Sequence, residues 1–220
     1  MSQPQPLIFA FSLDHPSAHT IFQAVHGRLM DKIAEKSDLK HVKSSPEALN
    51  LIEGDAKPKA IFVADAGITV RENHIIADRV ISYARNGGTV VLGGLFSSMI
   101  GPIDLQKFFS RWNLPWKSGT YLRTTVALNH TAEGVPKSGL PSSYSQKAVF
   151  LAGVDSSAAW YLPTESSVVE SLVFASEPIT RTSETPIAFT KVGNGWLGFV
   201  GDVNGEEGTD AVVLGMLGLF

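Results

Sequence analysis

Residues 59–96 read KAIFVADAGITVRENHIIADRVISYARNGGTVVLGGLF. Ala60 to Ala64 is a short apolar run that ends in Asp65 and Gly67. From Val70 to Arg85 the apolar residues Ile75, Ile76, Val80, Ile81 and Ala84 recur at three- and four-residue steps, which predicts a helix. Asn86-Gly87-Gly88 stops it, because glycine accepts the left-handed backbone that a helix end often needs. Thr89 to Leu92 is a second buried strand. Two strands joined by one crossover helix through short links form a parallel βαβ unit.

The same alternation extends to both sides. Pro6 to Phe11 is continuously apolar, as in a strand covered on both faces. A helix is expected from Pro16 or Ser17 to about Glu35, with Ile21, Phe22, Val25, Leu29 and Ile33 on one side. Leu39 to Val42 is a short strand. Ser45 and Pro46 open another helix that Gly54 and Pro58 break, with Ala48, Leu49 and Ile52 toward the sheet. After Leu92 the chain turns through Gly93 to Ser98. A helix then starts near Gly101 to Asp104, carrying Leu105, Phe108, Phe109 and Trp112, and a strand follows over Tyr121 to Leu128. This α/β alternation predicts a doubly wound, mostly parallel sheet.

Beyond residue 128 the pattern changes. Thr131 to Ser145 reads as a loop. Lys147–Gly153, Ala158–Leu162, Val168–Ala175, Pro186–Val192 and Trp196–Val200 are short and β-rich. Asn194-Gly195 is the expected turn of a hairpin, and Thr209 to Leu219 a closing helix. With no repeat and no linker, residues 1–220 are expected to form one domain: a βα core over 1–128, then a β-rich extension and C-terminal helix over 129–220.

Composition excludes several function classes. The 220 residues contain no cysteine, which removes disulfides, thiolate metal sites and cysteine nucleophiles. A net charge of −3 with only short basic segments, such as Lys57-Pro58-Lys59, argues against nucleic acid. No apolar run approaches the roughly 20 residues of a membrane helix. The N-terminus lacks a basic segment followed by an apolar core, so a cytoplasmic protein is expected. No cofactor motif is present: Gly87-Gly88 precedes a strand rather than a helix, and G-x-G-x-x-G is missing after the first strand.

In an open parallel sheet ligands sit beyond the carboxyl ends of the strands. That rule selects Asp14, His15 and His19 after the first strand, Asp65 after the third, Ser97 and Ser98 after the fourth, and Asp202, Asn204 and Glu206 near the end of the chain. His15 and His19 are four apart, the spacing of two metal-binding imidazoles on one helical face, but Pro16 interrupts that geometry and no third ligand is spaced with them. No metal is therefore expected, and Asp14 reads better as a helix cap. Ser97 and Ser98 follow a glycine turn of the kind that carries nucleophiles in α/β enzymes, yet G-x-S-x-G is absent. Asp202 to Glu207 lacks the full pattern of a calcium loop and reads as a polar turn before a helix.

Ile81 to Gly93, ISYARNGGTVVLG, resembles the "yv-x-x-GG-x-lv-x-x-g" segment of class I glutamine amidotransferase-like domains, including their ThuA-like and trimerisation-domain members. AIFVADA resembles the preceding strand of that family, and Gly195 to Asp202, GWLGFVGD, its late "G-x-G-x-v-x-x-x-G-D" strand. The resemblance implies a flavodoxin-like core with added β structure. It also implies a cysteine nucleophile in the turn after the elbow strand, where this chain has Gly93-Gly94-Leu95-Phe96, and a late His-Glu pair, where Asp202 to Glu207 holds no histidine. Glutamine hydrolysis by the family mechanism is not expected, and no catalytic residue is assigned. The expectation is a non-catalytic binding or interaction protein with a small-molecule ligand, capable of homo-oligomerising. The alternative is a small-molecule or carbohydrate-directed hydrolase-like enzyme using His, Asp and Ser groups at the strand ends.

Overall fold

The computed structural model describes residues 4–14, 16–171, 173 and 175–220. Nine strands form a continuous mixed sheet in the order β2-β1-β3-β4-β11-β10-β7-β5-β6. The first five, β2 (Asp38–Val42), β1 (Leu7–Phe11), β3 (Ala60–Val63), β4 (Thr89–Leu92) and β11 (Gly195–Val200), are parallel. The others, β10 (Ile187–Val192), β7 (Ala159–Pro163), β5 (Lys117–Leu128) and β6 (Ser143–Ala152), are antiparallel. The parallel half has the flavodoxin-like strand order, with β11 as its fifth strand.

Alternation along each buried strand builds two cores. Ile8, Ala10, Ala60 and Phe62 face one side, which α1 (Pro16–Lys36) covers with Phe22, Leu29 and Ile33 and α6 (Glu207–Met216) covers with Val212, Val213 and Met216. Phe9, Phe11, Ile61 and Val63 face the other, under α2 (Ser45–Glu53), α3 (His74–Arg85) and α5 (Pro102–Arg111). Strands covered by helices on both sides are apolar almost throughout: AIFV is so at every position, and TVVL at all but the half-buried Thr89.

Several boundaries differ from the sequence reading. The crossover helix begins at His74, not Val70; two short 3₁₀ turns, Ala66–Thr69 and Arg71–Asn73, precede it. The Asn73 amide explains the delay, since it donates to the Gly67 carbonyl at 2.7 Å and folds the entry segment back. A four-residue helix, α4 (Phe96–Met99), stands in the turn after β4. The segment read as a loop to Ser145 ends at Ser143, where β6 starts. Among the described residues of Val168–Ala175 only Val168–Val169 is a strand (β8), paired with Glu177–Pro178 (β9) in a small second sheet; Leu172 and Phe174 lie outside the described residues. The hairpin turn is Gly193-Asn194, since Val192 pairs with Gly195 and Gly193 takes the positive φ of 61°. Gly195 must itself be small: a Cβ there would lie 2.1 Å from the Gly88 carbonyl oxygen.

The β-rich tail completes the main sheet. β11 inserts beside β4, and the far edge curls back on it. The Val149 amide donates to Gly201 at 2.9 Å, the Val203 amide donates to Lys147 at 3.0 Å, and Leu151 exchanges two hydrogen bonds with Thr185.

Candidate functional site

β1 and β3 are neighbours, yet their connections leave toward opposite ends of the sheet, which makes the gap between their carboxyl ends the topological switch point. Asp65 fills it. One carboxylate oxygen accepts the amides of Leu13 and Gly67, each at 3.0 Å, and the other accepts the Asp14 amide at 3.2 Å. The two loops abut so closely that a Cβ on Gly67 would lie 2.3 Å from the Leu13 carbonyl carbon. Backbone amides converging at a strand end can hold a bound anion; here the chain supplies its own. Burial raises the Asp65 carboxyl above its ordinary range, while the three amides pull the other way.

Asp14 thus meets Asp65 through its backbone amide. His15 lies outside the described residues. His19 places Nε2 3.2 Å from the Ser12 carbonyl oxygen, and His41 places Nε2 2.8 Å from Ser12 Oγ. Burial, with the charges of Lys43 and His19, pushes His41 down to about 4.

The turn after β4 is packed at Gly94, Leu95 and Phe96. Gly94 has φ +60°, and a Cβ there would lie 2.6 Å from the Ala64 carbonyl oxygen. Leu95 and Phe96 are buried, and the Phe96 ring lies 5.5 Å from Phe108. Buried Ser97 donates to the Gly201 carbonyl at 3.1 Å, and exposed Ser98 to the Leu95 carbonyl at 3.1 Å. Both hydroxyls are thus directed at backbone oxygen rather than at a base.

The loop after β11 is organised by Asp202, which is buried and accepts the amides of Asn204 at 2.8 Å and Glu206 at 2.7 Å. Asn204 is exposed, and Glu206 pairs with Arg123. Two further polar side chains are buried in the core. His26 and Gln146 are 3% and 0% exposed, and neither His26 Nε2 nor the Gln146 amide atoms reach hydrogen-bonding geometry with any described residue. Gln146 lies near enough to Tyr144 to act weakly on its phenol, which burial raises well above the usual value. Buried polar groups of this kind are ordinarily satisfied by internal water.

Burial also lowers His26, against the pull of Asp202 and Asp210. His26 and His41 therefore share a sign. The folded protein binds these protons more weakly than the unfolded chain, so their contribution is complete above about pH 6.5 and is lost as pH falls through the folded values, about 4 for His41. Asp65, being raised, opposes this only where it begins to protonate. Urea midpoints are expected to fall between about pH 7 and about pH 4.5, and less steeply in His41→Gln; a flat profile in the wild type contradicts the assignment.

Open space borders the two serines and continues along the antiparallel edge. Ser97, Ser98, Ser118 and Val149 line a cavity of about 320 Å³, which shares Tyr121 with a larger one of about 660 Å³ along β5, β6, β8 and β9. A bulge between Ser118 and Tyr121 turns the Tyr121 ring outward, 57% exposed. Buried Glu184 holds that bulge, accepting the Thr120 amide at 2.7 Å and hydroxyl at 2.9 Å. None of Tyr121, Arg123 and Lys147 was selected by the sequence rule, because the register of β5 against β6 brings them together and the 14-residue connection hides it.

This arrangement of five parallel strands, an antiparallel extension and a closing helix superposes along nearly its whole length on known structures. A ThuA-like protein from Bacteroides uniformis matches with a TM-score of 0.54 at 11% identity, covering 98% of this chain and 92% of that one. The chain shares the fold of this ThuA-like protein. A second ThuA-like protein, from Parabacteroides merdae, matches with a TM-score of 0.55 at 12% identity over 98% and 89% of the two chains. A β-galactosidase from Bacillus circulans sp. alkalophilus matches with a TM-score of 0.55 at 12% identity, over 97% of this chain but only 30% of that one. No sequence-family model and no curated protein matches the chain. At these identities the likeness is one of fold, and no activity transfers with it.

Proposed function

We propose that this chain is a non-catalytic binding or interaction protein on the ThuA-like scaffold. The observation that carries the reading is Asp65, whose carboxylate occupies the three amides at the switch point. The turn after β4 supports it: Leu95 and Phe96 are packed into the core, and both nearby serine hydroxyls are directed at backbone carbonyls. In this reading residues 1–220 act as one cytoplasmic domain that takes a small ligand and homo-oligomerises, without nucleic acid, membrane, metal or cofactor. The net charge of −3 and the lack, among the described residues, of a helix long and apolar enough to cross a membrane support those partners. Exposed Val70, Ile75, Met99 and Ile103 on the segments after β3 and β4 support self-association.

The competing reading is a hydrolase acting on small molecules or carbohydrates at the strand ends. Untagged protein incubated with glutamine, nitrophenyl esters and nitrophenyl glycosides distinguishes the two. The expected result is no turnover above that of a Ser97→Ala/Ser98→Ala variant. Turnover that this variant abolishes contradicts the proposal.

A further inference from the structure

The β5–β6 hairpin sets two cations directly opposite each other, Arg123 and Lys147. Like charges in that register are destabilising unless something offsets them. Arg123 has an internal offset: its guanidinium pairs with Glu206 and donates to Ser145 Oγ at 3.2 Å. Lys147 has none. Its ammonium stands 5.2 Å above the centre of the Tyr121 ring and forms no ion pair among the described residues. A conflict between local rules at an exposed position is where function is expected.

The same face carries the counter-charges. Arg123, Lys147, Glu170 and Glu177 all line the cavity of about 660 Å³, whose apolar wall includes Tyr121, Leu122 and Val169. That size is within the range of small-molecule sites, roughly 300–1,000 Å³. Glu170 is held by hydroxyls, accepting from Thr125 at 2.8 Å and Ser145 at 2.6 Å. Glu177 is exposed and forms no ion pair among the described residues. The groove therefore offers one cation and one accessible anion, each without an ion-pair partner among the described residues, beside an apolar surface. A ligand of single charge would satisfy only one of them.

We propose that this groove binds a small zwitterion of the α-amino-acid type, with its carboxylate on Lys147, its ammonium on Glu177 and an apolar side chain against Tyr121, Leu122 and Val169. The proposal rests on the non-catalytic binding reading and names the ligand class for it. Glu184, by holding the bulge that exposes Tyr121, is the positioning residue.

Titration of isotope-labelled protein with phenylalanine, phenylalaninamide and 3-phenylpropanoate tests both charge contacts. Phenylalanine is expected to shift the amides of Arg123 and Lys147 and to bind at least about tenfold more tightly than either singly charged analogue. Lys147→Gln should erase its advantage over phenylalaninamide, and Glu177→Gln its advantage over 3-phenylpropanoate. Both are surface changes, and an otherwise unchanged spectrum shows that the variants are folded. Equal binding of the three probes, shifts confined to other residues, or no shift at about 10 mM phenylalanine overturns the proposal. The ligand's own resonances separate the two readings: loss of phenylalanine to a new species refutes the non-catalytic reading, whereas intact but unbound phenylalanine refutes only this assignment.

Discussion

Asp65→Ala is expected to lower the unfolding free energy by about 3 kcal/mol at neutral pH, measured by urea denaturation. The carboxylate satisfies three amides. Leaving a buried donor unsatisfied costs about 1–3 kcal/mol. Gly67 is buried, while Leu13 and Asp14 are half-buried, so water recovers part of the loss at the last two. Removing a buried carboxyl also returns some of its own desolvation cost, which is the cause of its raised titration. Asp65→Asn should fall between wild type and alanine. Its carbonyl can keep the amides of Leu13 and Gly67, but its NH₂ then faces the Asp14 amide, donor against donor. An alanine variant within about 1 kcal/mol of wild type contradicts the stapled crevice.

Gly201→Ala is expected to be comparably severe, at about 3 kcal/mol or more, because nothing nearby can move to admit a methyl group. A Cβ at Gly201 would lie 2.0 Å from the Val149 carbonyl oxygen and 3.0 Å from its carbon, both backbone atoms of β6. The clash falls where the sheet curls back, next to the 2.9 Å hydrogen bond from Val149 to Gly201 and the carbonyl that holds Ser97. The hydrogen-exchange protection of the Val149 and Val203 amides should drop more than that of β1 or β3 amides. Unchanged melting and uniform protection would show that β6 is not anchored there.

The parallel half of the fold is legible because each of its elements carries its own signal. AIFV and Val90 to Leu92 are apolar throughout, and Asn86-Gly87-Gly88 marks the helix end between them. The antiparallel half is legible only as a set of β-rich segments. Its order, with β11 beside β4 and β7 between β10 and β5, depends on pairings distant in sequence, which no local pattern encodes. The delayed start of α3 has the same origin, since it follows from the Asn73 contact to Gly67 and not from the apolar spacing.

The site was legible in part. Position alone selected Asp65 and Asp202, and both organise loops at strand ends. That their acceptors are filled by backbone amides of the same chain could not be read from residue type. His26 and Gln146 gave no warning either, because a single polar residue in an apolar stripe is as common on a surface as in a core. Tyr121, Arg123 and Lys147 became visible only through the register of β5 on β6.

The most direct test of the filled crevice is an anion titration read at the amides of Leu13, Asp14 and Gly67. Phosphate or formate should leave these three resonances unmoved in the wild type, because Asp65 already occupies them, and should shift them in Asp65→Ala while restoring part of its lost stability. Saturable phosphate binding at these amides in the wild-type protein would contradict the account, because the crevice would then be open to an outside ligand.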